Sequence, residues 1–150
     1  MSKIQVRNAR AEDAGRMIEL IQELADYEKS GSEVSLVESD IIADGFCDSP
    51  AFKAILAIQN NNTVGMALLY DRYSTWKGRT LYLEDLIVTH DSRGQGIGQR
   101  LLQECIGIAK TGGYKRLEWQ VLDWNKPAIE FYQKMDVEMD GSWINCRMRF

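Results

Sequence analysis

The sequence predicts a single α+β domain over residues 1–150, with helices flanking a mixed, largely antiparallel central sheet. Three observations carry this. Short strand patterns and longer helical stripes succeed one another with no linker, low-complexity tract or internal repeat. Two strand-like runs, Phe52–Ile58 and Thr63–Tyr70, flank an asparagine turn, a hairpin signature. The run Thr80–Val88 leads through Gly94, Gly96 and Gly98 into a helical stripe of Leu101, Leu102, Cys105, Ile106, Ile108 and Ala109.

Taken in order, Lys3–Arg7 alternates as a first strand. Glu12 or Asp13 opens a helix whose apolar face is Met17, Ile18, Leu20, Ile21, Leu24 and Ala25. Tyr27 ends that stripe, and residues 28–33 form a polar loop. Ser35 with Glu38 has the spacing of a capping box for a second helix, with Ile41, Ile42 and Phe46 on its apolar side. Ser49-Pro50 is a stop. The hairpin follows, turning at Asn60–Asn62, and then a polar, aromatic loop over Asp71–Arg79. Thr80–Val88 is the next strand and Gly112-Gly113 ends the helix after it. Arg116–Leu122 alternates as a strand, Pro127 suits the first turn of a short helix, and Trp143–Phe150 is a candidate last strand.

Composition excludes several classes. A chain of 150 residues with 45% hydrophobic content suits one globular domain with a sizeable core. A net charge of -4 argues against a nucleic-acid footprint, which would be basic and clustered. The three cysteines, Cys47, Cys105 and Cys146, are widely spaced, so neither a metal site nor a disulfide framework is expected. No apolar run is long enough to span a membrane and no signal-peptide pattern opens the chain, so a cytoplasmic location is the default.

The junction at residues 80–100 carries the chemistry. Glycine allows close backbone approach and positive φ. The first amides of a helix lack internal partners and carry partial positive charge, which suits a phosphate or pyrophosphate. Gln99-Arg100 is not the Lys-Ser/Thr of a Walker loop, and G-x-G-x-G is not the dinucleotide fingerprint.

Arg93-Gly94-Gln95-Gly96-Ile97-Gly98 resembles the acetyl-CoA pyrophosphate loop of the GNAT superfamily of N-acetyltransferases, Arg/Gln-x-x-Gly-x-Gly/Ala. Asp123-Trp124-Asn125-Lys126-Pro127-Ala128-Ile129-Glu130-Phe131-Tyr132 looks like that family's second signature. A narrower likeness covers nearly the whole chain. Arg7-Asn8-Ala9, residues 23–28, Asp44-Gly45-Phe46, Tyr82–Asp85 and Trp124-Asn125 resemble the spermidine/spermine type of diamine acetyltransferase. Residues 73–80 and 121–125 are more similar to the thialysine N-epsilon-acetyltransferase subtype, and Ser74 stands where the spermidine/spermine subtype has an acid. The chain departs from the family at Met135-Asp136, where a glycine usually follows the short helix.

The resemblance implies an acetyl-CoA-dependent enzyme that transfers acetyl directly to a primary amine of a small molecule, thialysine or a related diamine or polyamine. The alternatives are a protein or peptide N-acetyltransferase, or a non-catalytic acyl-CoA sensor. An acceptor ammonium has a pKa near 10.4 and must lose a proton before attack. Glu84 is the candidate base, acting directly or through one water. Tyr132 is the family's position for the acid that protonates the departing thiolate. The coenzyme is expected on Leu86, Ile87 and Val88, with an amide near Ile87 or Val88 facing the oxyanion, on Arg93, Gly94, Gln95, Gly96, Ile97, Gly98 and Gln99 at the pyrophosphate, and on Asn125 and Lys134. The acceptor is expected among Tyr27, Glu28, Ser74, Thr75, Trp76 and Asp85. Strict alternation along the strand would set Glu84 with Tyr82 and Leu86 on one face, and Asp85 with Leu83 and Ile87 on the other. A cysteine nucleophile is not expected, His90 is a surface turn residue, and the family likeness suggests a homodimer exchanging C-terminal strands.

Overall fold

The computed structural model describes residues 2–150, which fall into two compact units, 2–120 and 121–150. The first unit contains a five-stranded sheet in the order β1-β2-β3-β4-β5. Its strands are β1 (Ile4–Asn8), β2 (Lys53–Gln59), β3 (Asn62–Ser74), β4 (Gly78–Val88) and β5 (Arg116–Glu118). The first four pair antiparallel and β4 pairs β5 in parallel. The sheet is therefore mixed and largely antiparallel, as the sequence predicts.

Helices α1 (Ala14–Tyr27) and α2 (Glu38–Gly45) cover one face. Met17, Leu20 and Ile41 pack there against Ala54, Leu56, Met66, Leu68 and Ile87. Helix α3 (Ile97–Thr111) packs on β2, β3, β4 and β5 and buries Ile97, Leu101, Leu102, Cys105 and Ala109. Fully burying a side chain of this size contributes about 1.5–3 kcal/mol. The β2–β3 turn is tight because Asn60 and Asn61 both take positive φ, 51° and 63°, which matches the twist of the flanking strands.

Four boundaries differ from the sequence reading. Helix α2 is capped two residues beyond the Ser35–Glu38 box: Asp40 Oδ2 accepts from the Val37 backbone N–H at 3.0 Å, and the apolar Val37 side chain returns no bond, so only half of a capping box forms. The expected loop over 71–79 is mostly strand. β3 runs to Ser74 and β4 starts at Gly78, and the exposed pair Arg79–Asp71 ties the two across 3.4 Å. β5 stops at Glu118 rather than Leu122, because its ladder with β4 ends at Tyr82. No strand forms over Trp143–Phe150. A strand persists only where a partner satisfies its backbone, and here Trp143 is 74% exposed with its indole N–H on Asp140.

The second unit contains α4 (Lys126–Gln133), capped by Asn125, whose side chain accepts from the Ala128 N–H at 3.4 Å. Pro127 occupies the first turn, where its missing N–H costs nothing.

Candidate active site

Strands β3 and β4 do not pair residue for residue. Leu69 pairs with Leu83 and Leu68 pairs with Asp85, leaving Glu84 as the extra residue of a bulge. The bulge changes the predicted faces. Asp85 shares the face of Leu68 and Ile87, while Leu83 shares the opposite face with Leu69. Glu84 and Asp85 are therefore not split between the two sides as strict alternation requires. A bulge also bends its strand and increases the local twist. The β4–β5 ladder ends one pair before it, so β4 from Leu83 to Val88 has no β5 partner. That edge includes Leu86, Ile87 and Val88.

Three carboxylates influence one another at the bulge. Burial, then the charge of Glu84, then that of Glu28, raises the Asp85 carboxyl to about 6. Glu28, at the end of α1, is raised by burial and by Glu84. The Tyr70 phenol lies close enough to Glu84 that burial and then that carboxylate's charge push it above the ordinary value. The Tyr82 ring lies 5.1 Å from the Tyr70 ring. Such a cluster of carboxylates attracts a cation and supplies acceptors for its protons.

The glycine turn follows β4. Gly94 and Gly96 both have φ of +77°, and a Cβ at either would meet nothing within 4 Å. The cradle is open toward the amides that begin α3. Helix α1 holds the approach to it. Thr89 donates its hydroxyl to Glu23 at 2.9 Å, and the His90 backbone N–H donates to the other Glu23 oxygen at 2.9 Å. Arg93 is held at the same end, with its Nε donating to the Val88 carbonyl at 2.9 Å and its guanidinium 5.2 Å from the Tyr27 ring centre. Gln95 accepts from the Gln59 amide, Ile97 is buried inside the start of α3, and Gln99 is exposed.

The structure brings Glu28, Glu84 and Asp85 together, but not Ser74, Thr75 and Trp76. Those three form the tip of the β3–β4 hairpin, six positions along β3 from Leu68, or about 20 Å. Ser74 Oγ accepts the Trp76 and Lys77 N–H groups and so closes the turn, and Trp76 is 80% exposed. In the second unit, Tyr132 on α4 is buried, with its ring 5.3 Å from that of Phe131, and Lys134 is exposed at the helix end. Cys105 is pushed up by burial to about 12, which leaves its thiol inert. Sequence reasoning missed Tyr70, Tyr82 and Glu23. The aromatic pair is visible only once the register is known, and Glu23 looks like one more surface acid of α1.

The Acetyltransferase (GNAT) family model matches residues 17–136. The chain is 38% identical to the thialysine N-epsilon-acetyltransferase of Bos taurus over 92% of this chain and 86% of that protein. It is 32% identical to the Caenorhabditis elegans thialysine N-epsilon-acetyltransferase over 99% of this chain and 93% of that one. Its fold matches an integron cassette protein from the mobile metagenome of V. cholerae with a TM-score of 0.79 at 22% identity, over 98% of this chain and 93% of the other. Among the described residues no helix is long and apolar enough to cross a membrane. The open glycine turn, the unpaired β4 edge and these matches converge: the chain belongs to the GNAT family of acetyltransferases and is an N-acetyltransferase.

Proposed function

We propose that the chain transfers acetyl from acetyl-CoA to the terminal amine of a small acceptor, thialysine or a related diamino compound. The observation that carries this is the cluster of Glu28, Glu84 and Asp85, whose mutual repulsion is relieved by one bound ammonium. Family members use acetyl-CoA, which supplies a thioester-activated acetyl group when bound. The residues fit it. The amides from Gly94 to Gln99 would hold the pyrophosphate, with Arg93 orienting the turn. The unpaired β4 edge at Leu86, Ile87 and Val88 would receive the pantetheine arm, together with Asn125, and Lys134 would reach the phosphates.

The chain's own groups then handle protons. Glu28 and Asp85 hold the incoming ammonium. Glu84, re-aimed by its bulge, removes the proton directly or through a water, with Tyr70 orienting its carboxylate. Tyr132 donates a proton to the departing sulfur, a role supported by its place in the family's second signature. Ser74, Thr75 and Trp76 lie beyond the reach of a lysine-sized acceptor held at Asp85. In this reading they contribute through a second copy in a homodimer of a cytoplasmic enzyme.

The test is thiol release from acetyl-CoA with thialysine, lysine, ornithine, diamines and polyamines. Release with at least one of these is expected. No release above background with any of them would overturn the reading. Light scattering that gives one chain per particle would remove the homodimer.

A further inference from the structure

The acidic cluster explains how an amine is held, but not what the other end of an acceptor meets. The sheet face that carries Asp85 continues along the hairpin. Leu68 pairs with Asp85, Tyr70 with Tyr82 and Arg72 with Thr80, so Asp85, Tyr70, Tyr82 and Arg72 share one face. β5 extends it sideways, with Glu118 beside Tyr82 and Arg116 beside Thr80.

Arg72 does not follow its strand toward the hairpin tip. Its guanidinium lies 5.1 Å from the centre of the Tyr82 ring. Glu118 is the carboxylate nearby, and two arginines share it. Arg116 Nε approaches at 2.6 Å, while Arg72 stands off at 3.5 Å with more than half of its side chain exposed. Arg116 thus takes the close contact. Two guanidinium groups against one carboxylate leave this end of the face with a formal charge of +1. A guanidinium has five N–H donors in a planar fork, and a stack with one loose ion pair leaves part of that fork open.

The face is therefore bipolar: three carboxylates at one end, an under-neutralised arginine at the other, and the Tyr70–Tyr82 pair as the floor between. The step from the Leu68–Asp85 pair to the Tyr70–Tyr82 pair is two residues, about 7 Å. The extended chain from Cα to the terminal amine of lysine is about 6 Å by standard bond lengths.

We infer that Arg72 is a specificity-determining residue: it receives the α-carboxylate of an α,ω-diamino acid whose terminal amine lies among Glu28, Glu84 and Asp85. This rests on the acetyltransferase reading and names the acceptor class within it. A carboxylate on a planar guanidinium forms two parallel charge-assisted hydrogen bonds. The aromatic floor covers the methylene stem. A diamine without the carboxylate instead presents its second ammonium to Arg72, so the residue rejects as well as selects.

The experiment compares lysine with cadaverine, which is lysine without its carboxylate, as acceptors for the wild-type chain, Arg72→Gln and Arg72→Lys. Far-ultraviolet circular dichroism and the KM for acetyl-CoA serve as controls. The wild type is expected to favour lysine in kcat/KM. Arg72→Gln should lower kcat/KM for lysine about 10- to 100-fold through KM, the loss expected for a charge-assisted pair. Cadaverine should be unchanged or improved, and Arg72→Lys should recover part of the lysine activity. Equal losses for both amines, or no change for either, would overturn the role of Arg72 while leaving the acetyltransferase reading intact. Failure of the wild type to acetylate either amine or any other small amine would overturn both.

Discussion

Leu83 and Asp85 stand two positions apart on one strand, yet they lie on opposite faces of the sheet, because Glu84 between them is the unpaired residue of a bulge. The relationship organises the site. It puts Asp85 on the α1 face, where burial and two neighbouring carboxylates act on it. It also frees Glu84 to meet Tyr70. The β4–β5 ladder ends at the adjoining pair, so the acidic cluster lies beside an unpaired strand edge.

Two changes separate the bulge from its carboxylate. Glu84→Gln keeps the bulge and removes the base, and kcat is expected to fall about 100-fold or more with KM for acetyl-CoA unchanged. Deleting Glu84 leaves Leu83 on Leu69 and Asp85 on Leu68. The shortened chain should therefore fold, with a cooperative thermal transition, but lose turnover altogether. Wild-type kcat in either variant would remove Glu84 from the mechanism.

Asp85 should trade stability for function. Its folded-state pKa, about 6, lies above the unfolded value near 3.9. Between those values the folded chain keeps a proton that the unfolded chain has lost. This group's contribution to stability therefore falls as pH rises from about 4 to 6, and stays low above that. Asp85→Asn removes the penalty. It should raise stability by about 1–2 kcal/mol at pH 7.5 and have little effect at pH 4, as read from denaturant melts. Acceptor KM should rise at least 10-fold. In the wild type, activity should decline as pH drops below about 6, because protonated Asp85 no longer contributes its charge to holding an ammonium.

Tyr132→Phe should lower kcat by about 100-fold while the dissociation constant of coenzyme A changes less than threefold. Isothermal titration separates the two quantities. Unchanged turnover would assign the proton donor to another group.

Gly96 has a left-handed backbone and open space where a side chain would stand. Gly96→Ala should therefore cost about 1 kcal/mol in stability, from strain rather than collision. Its methyl group enters the cradle, so KM for acetyl-CoA should rise at least 10-fold with acceptor KM unchanged. Steady-state kinetics with each substrate varied in turn checks this.

Glu23 anchors the turn before the glycines through Thr89 and His90. Glu23→Gln removes the charge that both donors face and replaces one acceptor oxygen with an NH2 group. It should raise the dissociation constant of coenzyme A about 3- to 10-fold and leave acceptor selectivity as it is. A parallel loss for every acceptor with unchanged coenzyme affinity would assign Glu23 elsewhere.

Residues that act through local chemistry were legible in the chain itself. Periodicity located α1, α3 and β1, because burying one face imposes spacing on the residues of that face, while β2, β3 and β4 were legible as short apolar runs closed by turn residues. The asparagine turn and the glycine turn were legible because positive φ restricts residue type at single positions. The reach of the β3–β4 hairpin was not. Asp71, Arg72 and Tyr73 are exposed and look like loop until Arg79 and Tyr114 are seen to pair with Asp71.

By itself the sequence determined the helices and the first four strands, their order, and the anion-binding turn that marks the family. The tertiary structure alone decided which side chains meet. A bulge is a difference in count between two paired strands, a property neither strand has alone, and this one moved Asp85 away from Leu83 and toward Glu28. Arg72 is an ordinary exposed arginine in sequence. Only the pairing of β3, β4 and β5 sets it over Tyr82 beside a carboxylate that Arg116 approaches more closely.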